Sequence, residues 1–98
     1  MPVHFSPKAA QDIEEIGDYI ETENPAAARR SLAALRTRCL QIEDAPRSGM
    51  RRLELPTGLR SIAFRRYVIF YTLDQDTVRV ERVLHGARDI EAVFEGDE

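Results

Sequence analysis

The sequence predicts an α+β fold, in which an N-terminal antiparallel helix hairpin packs on a small antiparallel β-sheet and a short C-terminal helix follows. Apolar residues in the first half recur every three or four positions, as they do in amphipathic helices. From residue 59 onward they alternate or run together in segments rich in aromatic and β-branched residues, as they do in strands. The chain has 98 residues, so we expect residues 1–98 to form a single domain.

The first half predicts two helices after Val3–Phe5, a short apolar segment that suits an edge strand. Ser6-Pro7 and Asn24-Pro25 each place a capping side chain before a proline at the first helical position. The two apolar stripes consist of Ala9, Ile13, Ile16 and Ile20, and of Ala28, Leu32, Leu35, Cys39 and Ile42. The acidic residues of the first helix are expected to face solvent: Asp12, Glu14, Glu15, Asp18 and Glu21. The short connection makes the helices an antiparallel hairpin.

The second half predicts three strands after an irregular loop at Pro46 and Gly49. In order, the expected elements are strands at residues 59–65 and 67–73, a turn at 74–76, a strand at 78–85 and a short helix at 88–94. The middle strand is apolar on both faces, which suits a central position in the sheet. On the last strand we expect one face to carry Val78, Val80, Arg82 and Leu84. The apolar stripes of the hairpin need a partner, so the hairpin is expected to cover one face of the sheet.

The charge is unevenly distributed along a chain whose net charge is −3. Residues 47–88 contain nine arginines and four acidic residues, whereas residues 89–98 contain five acidic residues and no basic one. A basic middle segment is typical of a protein with a polyanionic or acidic partner, and also of a solvated arginine surface. Almost all the basic residues are Arg, whose guanidinium suits bidentate contact with carboxylate or phosphate.

Several classes of protein do not fit the sequence. One cysteine and two distant histidines, His4 and His85, give no metal-ligand pattern, and no glycine-rich phosphate loop is present, so neither a metal nor a cofactor is expected. No apolar run approaches the roughly 20 residues of a membrane span. The start of the chain has no secretory pattern. With Cys39 unable to form an internal disulfide, a cytoplasmic location is expected.

One set of residues has the composition of a catalytic site. Arg60 begins the first sheet strand, Arg82 and His85 lie late in the last strand, and Arg88 follows it. If these residues converge at one end of the sheet, the arginines can stabilise a phosphate and the histidine can move a proton, as RNA cleavage through the 2′-hydroxyl requires. The alternative is structural, because Arg82 alternates with core valines and can pair with an acidic residue.

The order of the sequence fragments resembles one known family. In the second half these are Gly58-Leu59-Arg60-Ser61, residues 67–71 and residues 82–89. In the first half they are residues 5–10 and Asn24-Pro25, followed by a turn at Pro46, Ser48 and Gly49. In this order, over about residues 3–94, the chain resembles the ParE toxins of the RelE/ParE superfamily.

The resemblance implies a toxic component of a type II toxin–antitoxin system, neutralised by a ParD-like antitoxin through which the complex contacts operator DNA. ParE-branch toxins are associated with inhibition of DNA gyrase, and RelE-branch toxins with ribosome-dependent mRNA cleavage. The ending at residues 82–89 favours ParE. The accessory lysines of RelE-type nucleases are absent, and the C-terminus is acidic. We therefore expect a toxin that is not an enzyme; the alternative is an mRNA endonuclease that uses Arg60, Arg82 and His85.

Two binding surfaces follow from this interpretation. The antitoxin is expected in a groove along the helix hairpin and across the exposed sheet, where a disordered antitoxin segment folds as a helix or an added strand. Its candidate contacts are Arg29, Arg36, Arg60 and Arg65. The candidate contacts with the target are Arg82, His85 and Arg88.

Overall fold

The computed structural model describes residues 1–56 and 58–96. Within them lie three α-helices, one 3₁₀ turn and five strands: β1 (Val3–Phe5), α1 (Pro7–Glu23), α2 (Pro25–Leu40), the 3₁₀ turn (Gln41–Asp44), β2 (Met50–Arg51), β3 (Arg60–Phe64), β4 (Tyr67–Asp74), β5 (Thr77–His85) and α3 (Ile90–Gly96). No helix in this part of the chain is long and apolar enough to cross a membrane.

Both predicted helix starts are confirmed. The Ser6 hydroxyl oxygen accepts a hydrogen bond from the Ala9 backbone N–H at 2.9 Å, and the Asn24 side-chain oxygen accepts one from Ala27 at 3.1 Å. These caps satisfy N–H groups that have no partner within the helix. The hairpin is tightly packed at Gly17, where an added Cβ would lie 2.7 Å from the Leu32 Cδ1 atom.

The sheet has five strands in the order β1-β5-β4-β3-β2. The three predicted strands are confirmed as β3, β4 and β5, and the edge strand expected at Val3–Phe5 is confirmed as β1; only β2 was not predicted. β4 lies at the centre, as its two apolar faces indicated. β1 pairs with β5 in parallel, and the other pairs are antiparallel. The hairpin lies between β1 and β2 in the sequence, and these two strands form the opposite edges of the sheet. The strand pairing of β2 was missed because its two residues are exposed and show no apolar alternation.

A β-bulge changes which side chains of β5 share a face. Phe70 pairs with Arg82 while Tyr71 pairs with Val80, so Glu81 is an extra residue on β5. One inserted residue reverses the side-chain alternation. The prediction that the alternation of Val78 and Val80 continues through Leu84 is therefore wrong, and Val83 joins Val80 on the face covered by the hairpin.

Both faces of the sheet carry an apolar cluster. The hairpin covers one face, as predicted, in a core that includes Ile13, Leu35, Ile69, Tyr71 and Val80. On the other face lies a second cluster of Leu55, Leu59, Phe70, Leu84 and Phe94. The rings of Phe70 and Phe94 pack edge to face with centroids 5.1 Å apart. The prediction of an exposed second face is wrong here, because α3 and the segment before β3 cover part of it.

The irregular segment between the hairpin and the sheet is held by two side chains. The buried Tyr71 hydroxyl donates to the Pro46 carbonyl at 2.7 Å and accepts from the Gly49 N–H at 2.9 Å. The Arg60 guanidinium donates to the carbonyls of Arg47 and Gly49 at 3.1 and 3.0 Å. A side chain at Gly49 would clash, since its Cβ would lie 2.5 Å from the Tyr71 hydroxyl oxygen.

Replacing Tyr71 with phenylalanine should lower the free energy of unfolding by about 1–3 kcal/mol, because a buried N–H and a carbonyl lose their partner. Urea denaturation followed by circular dichroism measures this. Tyr19→Phe is the matched control: Tyr19 is 65% exposed, and its substitution should change stability by less than about 0.5 kcal/mol. Equal effects of the two substitutions would show that the Tyr71 hydroxyl does not hold the segment.

Candidate functional site

Arg82 forms a buried bidentate ion pair with Asp12 of α1. Its Nε donates to Asp12 Oδ2 at 2.8 Å and its Nη2 donates to Oδ1 at 3.0 Å. The side chains of Arg82 and Asp12 are only 12% and 6% exposed. The prediction that Asp12 faces solvent is therefore wrong, whereas the structural interpretation of Arg82 agrees with the contact.

The position of Asp12 has a backbone cause. β1 ends at Phe5, so the last part of β5 has no strand on that side. Ser6, the N-cap residue of α1, supplies the first missing partners: its N–H donates to the Val80 carbonyl at 2.9 Å, and its hydroxyl donates to the Glu81 carbonyl at 2.7 Å. Asp12 Oδ2 then accepts the Val83 N–H at 2.9 Å. Buried backbone groups need such partners, so Asp12 and Arg82 fix α1 against β5.

Arg60 does not lie close to His85 in the sheet. In the sheet register Arg60 pairs with Tyr71 and His85 pairs with Tyr67, four positions away on β4, which is roughly 13 Å along the strand. β3 and β5 both run antiparallel to β4, so the start of β3 and the end of β5 lie toward opposite ends of the sheet. The prediction that all four residues converge at one end of the sheet is therefore wrong, although His85 and Arg88 do line one cleft.

A different set of side chains surrounds His85. Its ring packs edge-on against Tyr67, with centroids 5.7 Å apart and an interplanar angle of 85°. Together with Arg66, Arg88 and Tyr19 of α1, these two residues line a cleft of about 280 Å³, called the His85 cleft below. Its rim also carries Glu15. The sequence could have indicated Arg66, because it lies in the two-residue turn directly before β4. The start of β4 pairs with the end of β5.

Backbone hydrogen bonds fix the turns that carry this cleft. The Gly86 N–H donates to the Arg66 carbonyl at 2.9 Å, and the Arg88 N–H donates to the His85 carbonyl at 3.0 Å. The Ala87 N–H donates to His85 Nδ1 at 3.1 Å, so that nitrogen is the acceptor in this contact. The His85 ring is therefore held by its own turn and by Tyr67.

Two of the antitoxin candidates lie on the hairpin. Arg29 and Arg36 of α2 line one side of a groove of about 640 Å³, and the opposite side carries acidic residues of α1, namely Glu14, Asp18 and Glu21. This surface, called the hairpin groove below, includes Gly17 and Leu32. Arg65 lies elsewhere, in the turn between β3 and β4, where its φ is 56° and its guanidinium lies 5.0 Å from the centre of the Phe64 ring. Arg60 and Arg65 therefore do not share a surface with Arg29 and Arg36.

Cys39 is not suited to nucleophilic chemistry. It is fully buried in the hairpin core, and burial raises the pKa of its thiol to about 11. A thiol reacts as the thiolate, so Cys39 is inert near neutral pH. Within residues 1–56 and 58–96, no three potential ligand side chains lie close enough together to hold a metal ion.

The fold defines a class of small proteins in which a helix hairpin packs on a mostly antiparallel sheet. A chain of the solved structure titled "Chromosomal ParDE TA system from P. aeruginosa" superimposes with a TM-score of 0.77 at 16% sequence identity, over 87% of this chain and 95% of that chain. No curated protein sequence gives a match. The model of the family described as "ParE toxin of type II toxin-antitoxin system, parDE" matches residues 3–90. The chain belongs to this family of ParE toxins.

Asp12→Asn should lower the free energy of unfolding by about 3 kcal/mol, because it removes the carboxylate charge that forms a bidentate pair with the largely buried Arg82 guanidinium. Asp18→Asn makes the same chemical change on the exposed side of α1 and should have little effect. Urea denaturation of both variants measures the difference. If Asp12→Asn is as stable as Asp18→Asn, the pair does not anchor α1 on β5.

Proposed function

We propose that this ParE-family toxin arrests growth by binding DNA gyrase, without catalysing a reaction of its own, and that a ParD-like antitoxin neutralises it. The observation that carries the proposal is that the two arginines a RelE-type nuclease would use are both engaged in structural contacts. Arg82 is paired with Asp12, and Arg60 donates to carbonyls of the segment after α2. Neither guanidinium is free to act beside His85.

The proposal assigns separate surfaces to the two partners. The target meets the His85 cleft, with His85 and Arg88 as contacts, while Arg82 supports that region through its bond to α1. Such a toxin acts in the cytoplasm, where gyrase works. Operator DNA is contacted mainly by the antitoxin.

The antitoxin is proposed to lay an amphipathic helix in the hairpin groove. One wall of that groove is basic, with Arg29 and Arg36, and the other is acidic, with Glu14 and Asp18. A helix with acidic residues along one side and basic residues along the other fits these walls in one direction only, which favours specificity. Arg60 and Arg65, farther along the molecule, are proposed as contacts of the antitoxin segment beyond this helix.

One observation favours a second function, ribosome-dependent mRNA cleavage. His85 lies in one cleft with Arg66 and Arg88, and a histidine with two cations contains the group types that RNA cleavage uses. This set differs from the Arg60, Arg82 and His85 set expected for a RelE-type nuclease, and we rank it second.

The purified toxin should inhibit supercoiling of relaxed plasmid by gyrase, and the His85→Ala/Arg88→Ala variant should need at least about 10-fold more protein for the same inhibition, because loss of two central contacts costs at least about 1.4 kcal/mol. Arg29→Glu/Arg36→Glu should inhibit like the wild type but resist neutralisation by the antitoxin. A wild-type toxin that leaves supercoiling unchanged at large excess would contradict the gyrase proposal. Normal neutralisation of the Arg29→Glu/Arg36→Glu variant would contradict the antitoxin site.

A further inference from the structure

We infer that the His85 cleft binds a nucleic-acid strand, with a base against the aromatic rings of Tyr19 and Tyr67 and a phosphate on the guanidinium groups of Arg66 and Arg88. The inference rests on the proposed function and deepens it. It assigns the toxin's contact in the gyrase complex to the DNA that gyrase holds, rather than to the protein surface of gyrase.

The cations of the cleft are available to an anion. Arg66 and Arg88 are both exposed, and in the part of the chain that the structure describes no carboxylate lies within ion-pair distance of either guanidinium. They differ in this from Arg52 and Arg79, which pair with Glu54 and Glu81. The turns that carry them are fixed to each other through Gly86 and the Arg66 carbonyl, so the two cations project from a rigid frame. Planar guanidinium groups suit phosphate oxygens.

The aromatic residues distinguish this cleft from the other basic surfaces of the chain. Tyr19 is 65% exposed, although it is a large side chain on a helix that buries its opposite side. Tyr67 lies across the cleft and is held edge-on by His85. Exposed rings beside arginines are the arrangement with which proteins bind single strands, because every base has a face that stacks and every nucleotide has a phosphate.

The acidic residues of the cleft favour a nucleotide over an acidic peptide. Asp12 is occupied by Arg82 and the Val83 N–H. Glu15 is exposed at the rim and accepts a hydrogen bond from the Gln11 side chain at 3.2 Å. A carboxylate there repels an anionic side chain. A nucleotide carries its charge on the phosphate and not on the base, so a base beside Glu15 is not repelled and its exocyclic amine can donate a hydrogen bond to the carboxylate. The volume of about 280 Å³ lies near the lower end for ligand clefts, which suits a single base rather than a folded segment.

Fluorescence anisotropy with a short fluorescein-labelled single-stranded oligodeoxycytidine tests the inference on the full-length toxin without gyrase. The dissociation constant of Arg66→Ala/Arg88→Ala should be at least about 10-fold higher than that of the wild type, as expected for loss of phosphate contacts. Tyr19→Ala should weaken binding about 5-fold or more, and Tyr19→Phe, which keeps the ring, should bind like the wild type. The matched control Arg30→Ala/Arg51→Ala removes two exposed arginines outside the cleft and should change the dissociation constant by less than about 2-fold. Circular dichroism confirms that each variant is folded.

The outcomes separate this inference from the proposed function. If the wild type inhibits gyrase but does not bind the oligonucleotide, the cleft meets a protein surface and the inference is wrong, while the proposed function stands. If it binds the oligonucleotide through the cleft but does not inhibit gyrase, the nucleic-acid site stands and the gyrase proposal is wrong. Equal weakening in the cleft variant and the Arg30→Ala/Arg51→Ala control indicates nonspecific charge attraction, which overturns the inference.

Discussion

The structure depends on which groups form hydrogen bonds with the backbone of β5 along the edge that β1 does not cover. β5 continues past the end of β1, and its backbone there meets Ser6 and Asp12 instead of another strand. Asp12 accepts both from the Val83 N–H and from the Arg82 guanidinium. One carboxylate therefore completes the sheet edge, neutralises a buried cation and sets the position of α1. Without it, the Val83 N–H loses its acceptor and the largely buried Arg82 guanidinium loses a bidentate contact, which is costly.

Fixing α1 in this way also places the two candidate binding surfaces. Glu14 and Asp18 face the hairpin groove, whereas Glu15 and Tyr19 face the His85 cleft. The two surfaces are thus separated by about one helix diameter, roughly 10 Å. In the proposed function, a helix in the groove and a partner in the cleft are neighbours on opposite sides of α1.

The sequence predicts local structure well and long-range pairing poorly. Capping residues followed by proline mark both helix starts, and the apolar character of residues 67–71 identifies the central strand, because these signals are local. The bulge at Glu81 leaves no comparable signal, and it moves Val83 to the hairpin face. Asp12 looks like one more acid on a solvated helix, because its partner Arg82 is 70 positions away. The set around Arg60 failed for a different reason. The first and third strands of an antiparallel meander run in the same direction, so the start of one and the end of the other lie at opposite ends of the sheet, as the predicted strand order already implied.

The central claim is that the arginine-bearing surface of this toxin serves docking and does not cleave bonds. Mapping of mRNA 5′ ends in cells tests it most directly, soon after induction of the wild-type toxin and, in parallel, of His85→Ala. The account predicts that growth stops while the pattern of 5′ ends inside coding regions stays the same as before induction. New in-frame ends that appear with the wild type and disappear with His85→Ala would show that the cleft is a nuclease site and would contradict the account.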